Sequence, residues 1–175
     1  YFLFFYLTCE KVYEGKESLV ENQNYIYCLW HKNYPLYFSS ILSSKNEVLM
    51  NHPFWYMKPI HMFLKMRGMA KLVLGSTGNS GRDAADQLVK CLREGDSTTM
   101  APDGPAGPSM KLKKGILHIA AQSGVPIVPI SFQCSNFRTS NTWDKRETPR
   151  LFSTIKIDYG EPIFVNEHET QAVSY

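Results

Sequence analysis

The chain has 175 residues, a length that fits one domain, and its composition of 43% hydrophobic and 20% charged residues is that of an ordinary globular protein. This composition excludes a disordered chain and a collagen-like repeat. The formal net charge of +3 is too small to indicate nucleic-acid binding by itself, and it suits an anionic small molecule or a membrane surface equally well.

The first seven residues, YFLFFYL, are all apolar or aromatic. They are too few to span a bilayer, but they match the end of a longer hydrophobic segment or an aromatic-rich interfacial anchor. A strand or helix tucked into the core is equally compatible with them, because periodicity does not separate these cases. We therefore treat residues 1–24 as a candidate remnant of an N-terminal membrane anchor and keep the core alternative open.

Short apolar runs and helical spacings alternate along the rest of the chain. They predict a helix beginning near Pro35, further helices over 55–68, 82–95 and 112–124, and strands over 25–30, 47–50, 71–74, 97–101, 125–132 and 153–160. Two prolines in 125–132 indicate that this strand is short or at a sheet edge. The alternation predicts an α/β fold, a single layered domain over 1–175 with a mostly parallel central sheet flanked by helices.

The polar stretch 135–150 is long and carries no clear periodicity. Loops of this kind either cover a site or vary freely at the surface. We leave both interpretations open for this segment.

Three polar features follow predicted strands. His31 follows 25–30, the glycine turn GSTGNSG (75–81) follows 71–74, and PDGPAGPS (102–109) follows 97–101. Ligands of open α/β sheets bind beyond the carboxyl ends of the strands, so these features indicate a site. The imidazole of His31 is a candidate general base. The alternative is a loop histidine whose polar atoms are satisfied by the backbone.

The glycine turn lets a ligand approach the backbone closely, and the free amides of the following helix attract anions. It lacks the lysine of a P-loop and the full dinucleotide fingerprint, so an ordinary strand-to-helix turn remains equally compatible. Lys111, Lys113 and Lys114 either neutralise phosphates or form the solvated face of a helix. The four cysteines contain no CxxC pair, which argues against a zinc ribbon. No ligand spacing supports a metal site built from Cys28, His31 and His52.

Several of these motifs occur in a recognisable order: WH at 30–31, GS…SGR ending at Arg82, PDGPAGP, KKGILHIAAQSGVPIVPISF, TWD and YGEPI. In this order they resemble the lysophospholipid acyltransferase superfamily over residues 25–165, specifically its small bacterial branch with a DGP-GP signature. The resemblance implies a glycerolipid acyltransferase-like fold. It also implies transfer of a fatty acyl group from acyl-CoA or acyl-carrier protein to a hydroxyl of a lysophospholipid or glycolipid.

The same resemblance implies the partners of the protein. These are an acyl thioester donor, which serves as co-substrate in place of any resident cofactor or metal, a lipid acceptor, a membrane surface and, as one form of the donor, acyl-carrier protein. Nucleic acid is not among them. The implied location is the cytoplasmic face of the inner or plasma membrane, with the protein peripheral or held by its N-terminal segment.

Carried over by position, the family motifs make His31 the catalytic base. The substrate-binding residues that they imply are Gly75, Ser76 and Arg82 in the acceptor block, Gly104 beside Asp103 in the third block, and Lys114 and Gly115 directly after it. Pro126 and Pro129 lie in the fourth block. The backbone amides of the glycine turn are the expected donors to the oxyanion.

Two departures from the family pattern matter. The usual His-x4-Asp motif would place its acid at position 36, where this chain has Leu36, and Ala106 stands where the branch commonly has Arg. Arg82 or the lysines of 111–114 are the expected substitutes for that arginine. Asp103 is the only acid in the three strand-end loops, so we expect it to orient the imidazole of His31.

Two other functions remain open. The missing acid motivates a non-catalytic lipid-binding module with the same fold, and the glycine turn motivates a phosphate-ester or nucleotide-binding enzyme. For an acyl chain, the expected lining consists of apolar side chains, most of them aromatics and methionines, namely Phe38, Ile41, Phe54, Trp55, Met57, Met62 and Phe63.

Overall fold

The computed structural model describes residues 2–40, 46–51, 55, 58–66, 71–75 and 81–166. The helices are α1 (Phe2–Thr8), α2 (Tyr34–Ser40), α3 (Lys58–Met66), α4 (Gly81–Arg93) and α5 (Lys114–Ser123). The strands are β1 (Glu10–Glu14), β2 (Ile26–Cys28), β3 (Glu47–Asn51), β4 (Lys71–Leu74), β5 (Ser97–Met100), β6 (Ile127–Cys134), β7 (Phe137–Thr139), β8 (Glu147–Pro149) and β9 (Thr154–Tyr159).

Within the described ranges, seven strands form one sheet in the order β1-β9-β6-β2-β5-β3-β4. Neighbouring strands run parallel throughout, except that β6 and β9 are antiparallel. The strands β7 and β8 form a separate antiparallel hairpin. The structure therefore confirms the predicted α/β fold with a mostly parallel central sheet.

Helices cover both faces of this sheet. One hydrophobic cluster joins the sheet to α4 and α5 through residues such as Leu88 and Ile119, and a second joins it to α1 and α2 through Phe5 and Leu36. Neighbouring positions of one strand alternate between the two clusters, as they must in a pleated sheet that is buried on both sides. The predicted apolar faces of the helices 82–95 and 112–124 lie in the first cluster.

The prediction of a short or edge position for the strand with two prolines is wrong. β6 is eight residues long and lies in the interior of the sheet, between β9 and β2. Pro126 precedes the strand, and its carbonyl accepts a hydrogen bond from the Ile26 amide. The antiparallel ladder with β9 begins at Ile130, so Pro129 stands just beyond the end of that ladder, where its missing N–H is tolerated.

The N-terminal residues form a short helix and an edge strand. Phe5 of α1 is buried, whereas Leu3, Phe4 and Leu7 are exposed, and β1 pairs with β9 at the edge of the sheet. Among the described residues, no helix combines the length and the apolar character that a membrane crossing requires. The anchor interpretation of residues 1–24 and the single-domain boundary both stay predictions.

The polar stretch 135–150 is an ordered excursion that contains the β7–β8 hairpin. β8 lies against α2 and against the 3₁₀ turn that begins at His31. An ion pair of 3.0 Å between Lys32 Nζ and Glu147 Oε1 connects the turn to the hairpin. The hairpin therefore lies beside the predicted catalytic base.

Position 36, where the family motif has its acid, belongs to the hydrophobic core of this chain. The side chain of Leu36 is fully buried in the cluster between α2 and the sheet. We predict that Leu36→Asp destabilises the protein by at least the ~2–5 kcal/mol of a core Leu→Ala truncation, because a carboxylate would be buried there without a partner. Urea unfolding measures the change.

The matched control is Leu3→Asp, which makes the same chemical change on the exposed side of α1. Its free energy of unfolding should change by only about 0.5 kcal/mol. Equal losses in the two variants would contradict the assignment of Leu36 to the core.

Candidate active site

His31 lies at the carboxyl edge of the sheet, as predicted from its position after a strand. It begins a single 3₁₀ turn, His31–Asn33, three residues after β2 ends. The backbone amide of Asn33 closes this turn on the Trp30 carbonyl at 2.8 Å. The side chain of His31 is 23% exposed, so it is held by protein on most sides and still accessible.

The imidazole of His31 is hydrogen-bonded to a buried carboxylate. Its Nδ1 lies 2.6 Å from Oδ2 of Asp144, which belongs to the turn between β7 and β8 and is fully buried. Because Nδ1 is engaged, Nε2 is the ring nitrogen that remains to exchange a proton with a substrate. A base whose second nitrogen is fixed by an acid is the arrangement that histidine-dependent acyl transfer uses.

Asp144 has further donors from its own turn. Thr142 Oγ1 donates to Asp144 Oδ1 at 2.5 Å, and Arg146 Nε lies 3.1 Å from Oδ2. Burial by itself would raise the pKa of Asp144, but the hydrogen bonds from Thr142 and His31 and the charge of Arg146 outweigh it and hold the pKa below its usual range. The carboxylate is therefore charged at neutral pH and accepts hydrogen bonds.

Two aromatic side chains pack against the imidazole. The ring centroid of Trp143 lies 5.1 Å from that of His31, and Tyr34 meets the imidazole edge-on at 5.2 Å. Gly107 of the PDGPAGPS loop has a left-handed backbone (φ +63°), and a Cβ there would lie 2.5 Å from the Trp143 ring. The loop therefore approaches Trp143 closely only because residue 107 is glycine.

Asp103 contacts the backbone rather than the imidazole. It is fully buried, Oδ1 accepts the His31 amide and Oδ2 accepts the Met110 amide, each at 3.1 Å. This corrects the expectation that Asp103 orients the ring, since the ring bond comes from Asp144. The reason is strand register: Cys28 pairs with Met100, so three residues further on Asp103 stands beside the His31 main chain.

The remaining predicted site residues of the glycine-rich segments are only partly described. Gly104 closes a turn on the Ala101 carbonyl at 3.0 Å, and the Lys113 side chain lies against it. Gly75 follows the edge strand β4, three strands from β2, and donates to the Asn51 carbonyl at 2.9 Å. Ser76 and residues 77–80 lie outside the described residues, so the anion and oxyanion roles of this turn stay predictions.

Three predicted substrate-binding residues come together at a cleft of about 400 Å³ between the first two turns of α4 and of α5. Its lining consists of Arg82, Ala85, Asp86, Lys114, Gly115 and His118. Two cationic side chains and two helix N-termini favour an anionic ligand there. Asp86 is the one carboxylate of this lining and opposes that preference.

One group of potential metal ligands occurs in the described part of the chain, formed by Cys91, Glu94 and Asp96. Lys71 Nζ lies 2.7 Å from Asp96 and 3.5 Å from Glu94, so an ammonium already pairs with both acids. The group directly precedes β5, so it lies at the amino ends of the parallel strands, whereas His31 lies at their carboxyl ends. Of the three residues Cys28, His31 and His52, for which no ligand spacing was found, His52 lies outside the described residues.

Comparison with known proteins identifies the family. A family model for acyltransferases matches residues 11–133, which is more than half of the chain. The chain belongs to the acyltransferase family. The resemblance to the lysophospholipid acyltransferase superfamily is thereby confirmed. Asp144 of this acyltransferase lies outside the matched residues, whereas His31 and Asp103 lie inside them.

This acyltransferase is similar to one further sequence and to one solved structure. An uncharacterised protein of Rickettsia prowazekii (strain Madrid E) is 27% identical over 168 residues, covering 93% of this chain and 77% of that protein. The crystal structure of the 1-acyl-sn-glycerophosphate acyltransferase PlsC from Thermotoga maritima superposes with a TM-score of 0.59 at 18% identity. The match covers 89% of this chain and 62% of PlsC, so the chain spans less than two thirds of that enzyme and shares its fold.

Sequence reasoning missed Asp144 as a functional residue. The TWD motif that contains it was visible as part of the ordered motif set, but 113 positions separate Asp144 from His31. Only the docking of the hairpin against α2 brings the two side chains together. The signal that could have found it is an acid inside a long polar excursion from the sheet.

Cys28 is the thiol nearest to His31 in the sequence, and its environment suppresses its reactivity. Burial, together with the negative charge of Asp103, raises the pKa of the Cys28 thiol to about 12. Because the thiolate is the reactive form, we predict negligible alkylation of Cys28 by iodoacetamide at neutral pH in the folded protein and complete alkylation in denaturant. Peptide mass spectrometry measures both, and rapid labelling of Cys28 in the folded protein would contradict the prediction.

Proposed function

We propose that this protein transfers a fatty acyl group from a thioester donor, acyl-CoA or acyl-carrier protein, to a hydroxyl of a lysophospholipid or glycolipid, with His31 as general base. One observation carries the proposal. An acyltransferase-family sheet presents at its carboxyl edge an imidazole whose Nδ1 is bonded to a buried carboxylate, leaving Nε2 for the substrate. The lysophospholipid acceptor in the name of PlsC supports the choice of acceptor class.

In the proposed reaction, Nε2 of His31 takes the proton of the acceptor hydroxyl as its oxygen attacks the thioester carbonyl carbon. A new C–O bond forms and the carbonyl oxygen becomes an oxyanion, for which backbone amides of the glycine turn are the expected donors. The oxyanion then collapses, the C–S bond breaks, and the leaving thiolate takes the proton back from the imidazolium. The products are an ester and a free thiol, and no covalent enzyme intermediate forms.

The cleft at Arg82 and Lys114 is proposed as the place for the anionic group of a substrate. Its charges and the two helix N-termini would hold a phosphate, which a lysophospholipid acceptor and a coenzyme A donor both carry. The same residues stand where the family motifs place the acceptor block and the Lys-Gly pair. A glycolipid acceptor without phosphate would use this cleft less.

We further propose that the reaction takes place at the cytoplasmic face of the inner or plasma membrane, with the protein peripheral or held by its N-terminal segment. Exposed apolar side chains support a membrane contact: Leu3, Phe4 and Leu7 on α1, and Met62 on α3. Of the expected acyl-chain lining, Trp55 and Met62 are exposed and Phe38 is half-buried, whereas Ile41, Phe54 and Met57 and the side chain of Phe63 lie outside the described residues.

The non-catalytic lipid-binding alternative loses its main support. It was motivated by the absence of an acid at position 36, and Asp144 now provides a carboxylate to the imidazole from another segment. The nucleotide alternative depends on the glycine turn, of which residues 76–80 lie outside the described residues.

We predict that His31→Ala lowers the acyl-transfer rate by a factor on the order of 10²–10⁴, because the general base is removed. Single-turnover assays with labelled acyl-CoA and acyl-carrier protein, offered with lysophospholipid and glycolipid acceptors, measure the loss. The productive pair would also name the substrates.

The control for this variant is binding of the same acceptor lipid, which should be unchanged because the imidazole acts on the reacting hydroxyl. Unchanged transfer in His31→Ala would refute the role of the base. Lipid binding without transfer by the wild type, whatever the donor, would favour the binding module.

Removing single charges from the cleft at Arg82 and Lys114 tests whether it binds the anionic group of a substrate. We predict that Arg82→Gln and Lys114→Gln each raise KM for a phosphate-bearing substrate about tenfold, which corresponds to ~1.4 kcal/mol. Asp86→Asn is the matched opposite, because it removes the only carboxylate of the lining and should lower the same KM. A rise in KM for all three variants would show that the cleft is sensitive to disturbance rather than to charge.

A further inference from the structure

We propose that Asp144 is the positioning residue for His31, supplying from the β7–β8 hairpin the carboxylate that the family motif supplies five residues after the base. In this role it fixes the imidazole as the tautomer with its proton on Nδ1 and leaves the Nε2 lone pair toward the acceptor hydroxyl. The expected effect on rate rests on the proposed function, whereas the effect on the tautomer does not.

The helix that follows His31 cannot supply this carboxylate from position 36. Leu36 points into the core between α2 and the sheet, where it packs in one cluster with Val128 and Ile155. A carboxylate at that position would be buried among apolar side chains instead of meeting the ring. The acid must therefore come from a different segment, and the hairpin is the segment that lies against the turn of His31.

The partners of Asp144 separate a positioning role from a local structural one. Thr142 and Arg146, each two residues away, both donate a hydrogen bond to Oδ1 of the carboxylate, and the Arg146 guanidinium also lies 3.1 Å from Oδ2 as an ion pair. These contacts lie within the turn itself. The hydrogen bond at Oδ2 joins the turn to Nδ1 of His31, which is 2.6 Å away and 113 positions earlier in the chain. It is shorter than the 3.1 Å contact between the same oxygen and Arg146 Nε.

The hairpin that carries Asp144 is held at several points, as a positioning group requires. Glu147 is paired with Lys32, one residue after the base. Trp143, one residue before the acid, packs between the imidazole and Gly107. The segment thus contacts both the turn of His31 and the PDGPAGPS loop, and these contacts restrain the position of the carboxylate.

The charge state of Asp144 is the one that this role needs. Hydrogen bonds at Oδ1 and the charge of Arg146 keep the carboxylate ionised, and an ionised carboxylate only accepts hydrogen bonds. At Oδ2 it therefore accepts a hydrogen bond from Nδ1–H, and in the neutral ring Nε2 then carries no proton. A neutral imidazole in this tautomer is ready to take a proton from a hydroxyl.

The first test uses the wild-type protein and needs no substrate. Long-range ¹H–¹⁵N NMR of ¹⁵N-histidine-labelled protein, with His31 assigned by its absence in His31→Ala, reports which nitrogen of the neutral ring carries the proton. We expect the proton on Nδ1. A proton on Nε2 would overturn the proposal, whether or not Asp144 variants fold.

The second test compares three Asp→Asn variants. Asp144→Asn should lower kcat by a factor on the order of 10³–10⁴ with little change in KM, and should move the ring proton off Nδ1, as expected when an oriented base loses its acid. Asp103→Asn should leave the tautomer unchanged, because Asp103 contacts only backbone amides in the described contacts. Asp158→Asn, at a partly exposed position of β9, should leave both kcat and the tautomer of His31 unchanged.

The outcomes are distinct. A tautomer change in Asp103→Asn but not in Asp144→Asn would assign the role to Asp103 and overturn the proposal. If the wild type transfers no acyl group but the tautomer depends on Asp144, the positioning stands and the proposed function fails. If transfer depends on His31 but is unaffected by Asp144→Asn, the proposed function stands and the positioning role fails.

Discussion

The site depends on the hydrogen bond between His31 Nδ1 and Asp144 Oδ2, which joins the turn after β2 to the β7–β8 hairpin. The sheet topology brings these two segments together. The segment that carries Asp144 connects β6 to β9, two neighbouring antiparallel strands of the sheet. β2, which leads into His31, is the next strand on the other side of β6. Acid and base therefore emerge from neighbouring positions in the sheet although they are distant in sequence.

Two buried carboxylates organise the site in different ways. Asp103 accepts two backbone amides and so fixes where the main chain of His31 begins its turn, relative to the loop that leads into α5. Asp144 accepts side-chain donors and so fixes the direction of the ring. Burying a carboxylate is costly unless its oxygens are hydrogen-bonded, and both oxygens of each residue are satisfied here. One acid sets the backbone and the other sets the imidazole.

Features that depend on local periodicity could be predicted from the sequence, and features that depend on pairing between distant segments could not. The run KLVL was predicted as a strand with the bounds that β4 has, and the helix with Leu88 was predicted with its apolar face. The interior place of β6 was not, because it depends on partners elsewhere in the chain. His31 followed from a strand-helix junction. Asp103 was placed at the correct edge, but the atoms that its carboxylate faces depend on strand register.

The sequence separation of the two residues also affects folding. Closing a loop of 113 residues costs about 4 kcal/mol of chain entropy, more than a single hydrogen bond contributes. The contact therefore does not form by itself, and it depends on the β6–β9 ladder and the core beneath it being in place. In a chain that has only its local helices, base and acid are apart. The dyad thus requires the assembled central sheet, and its presence reports that this assembly has taken place.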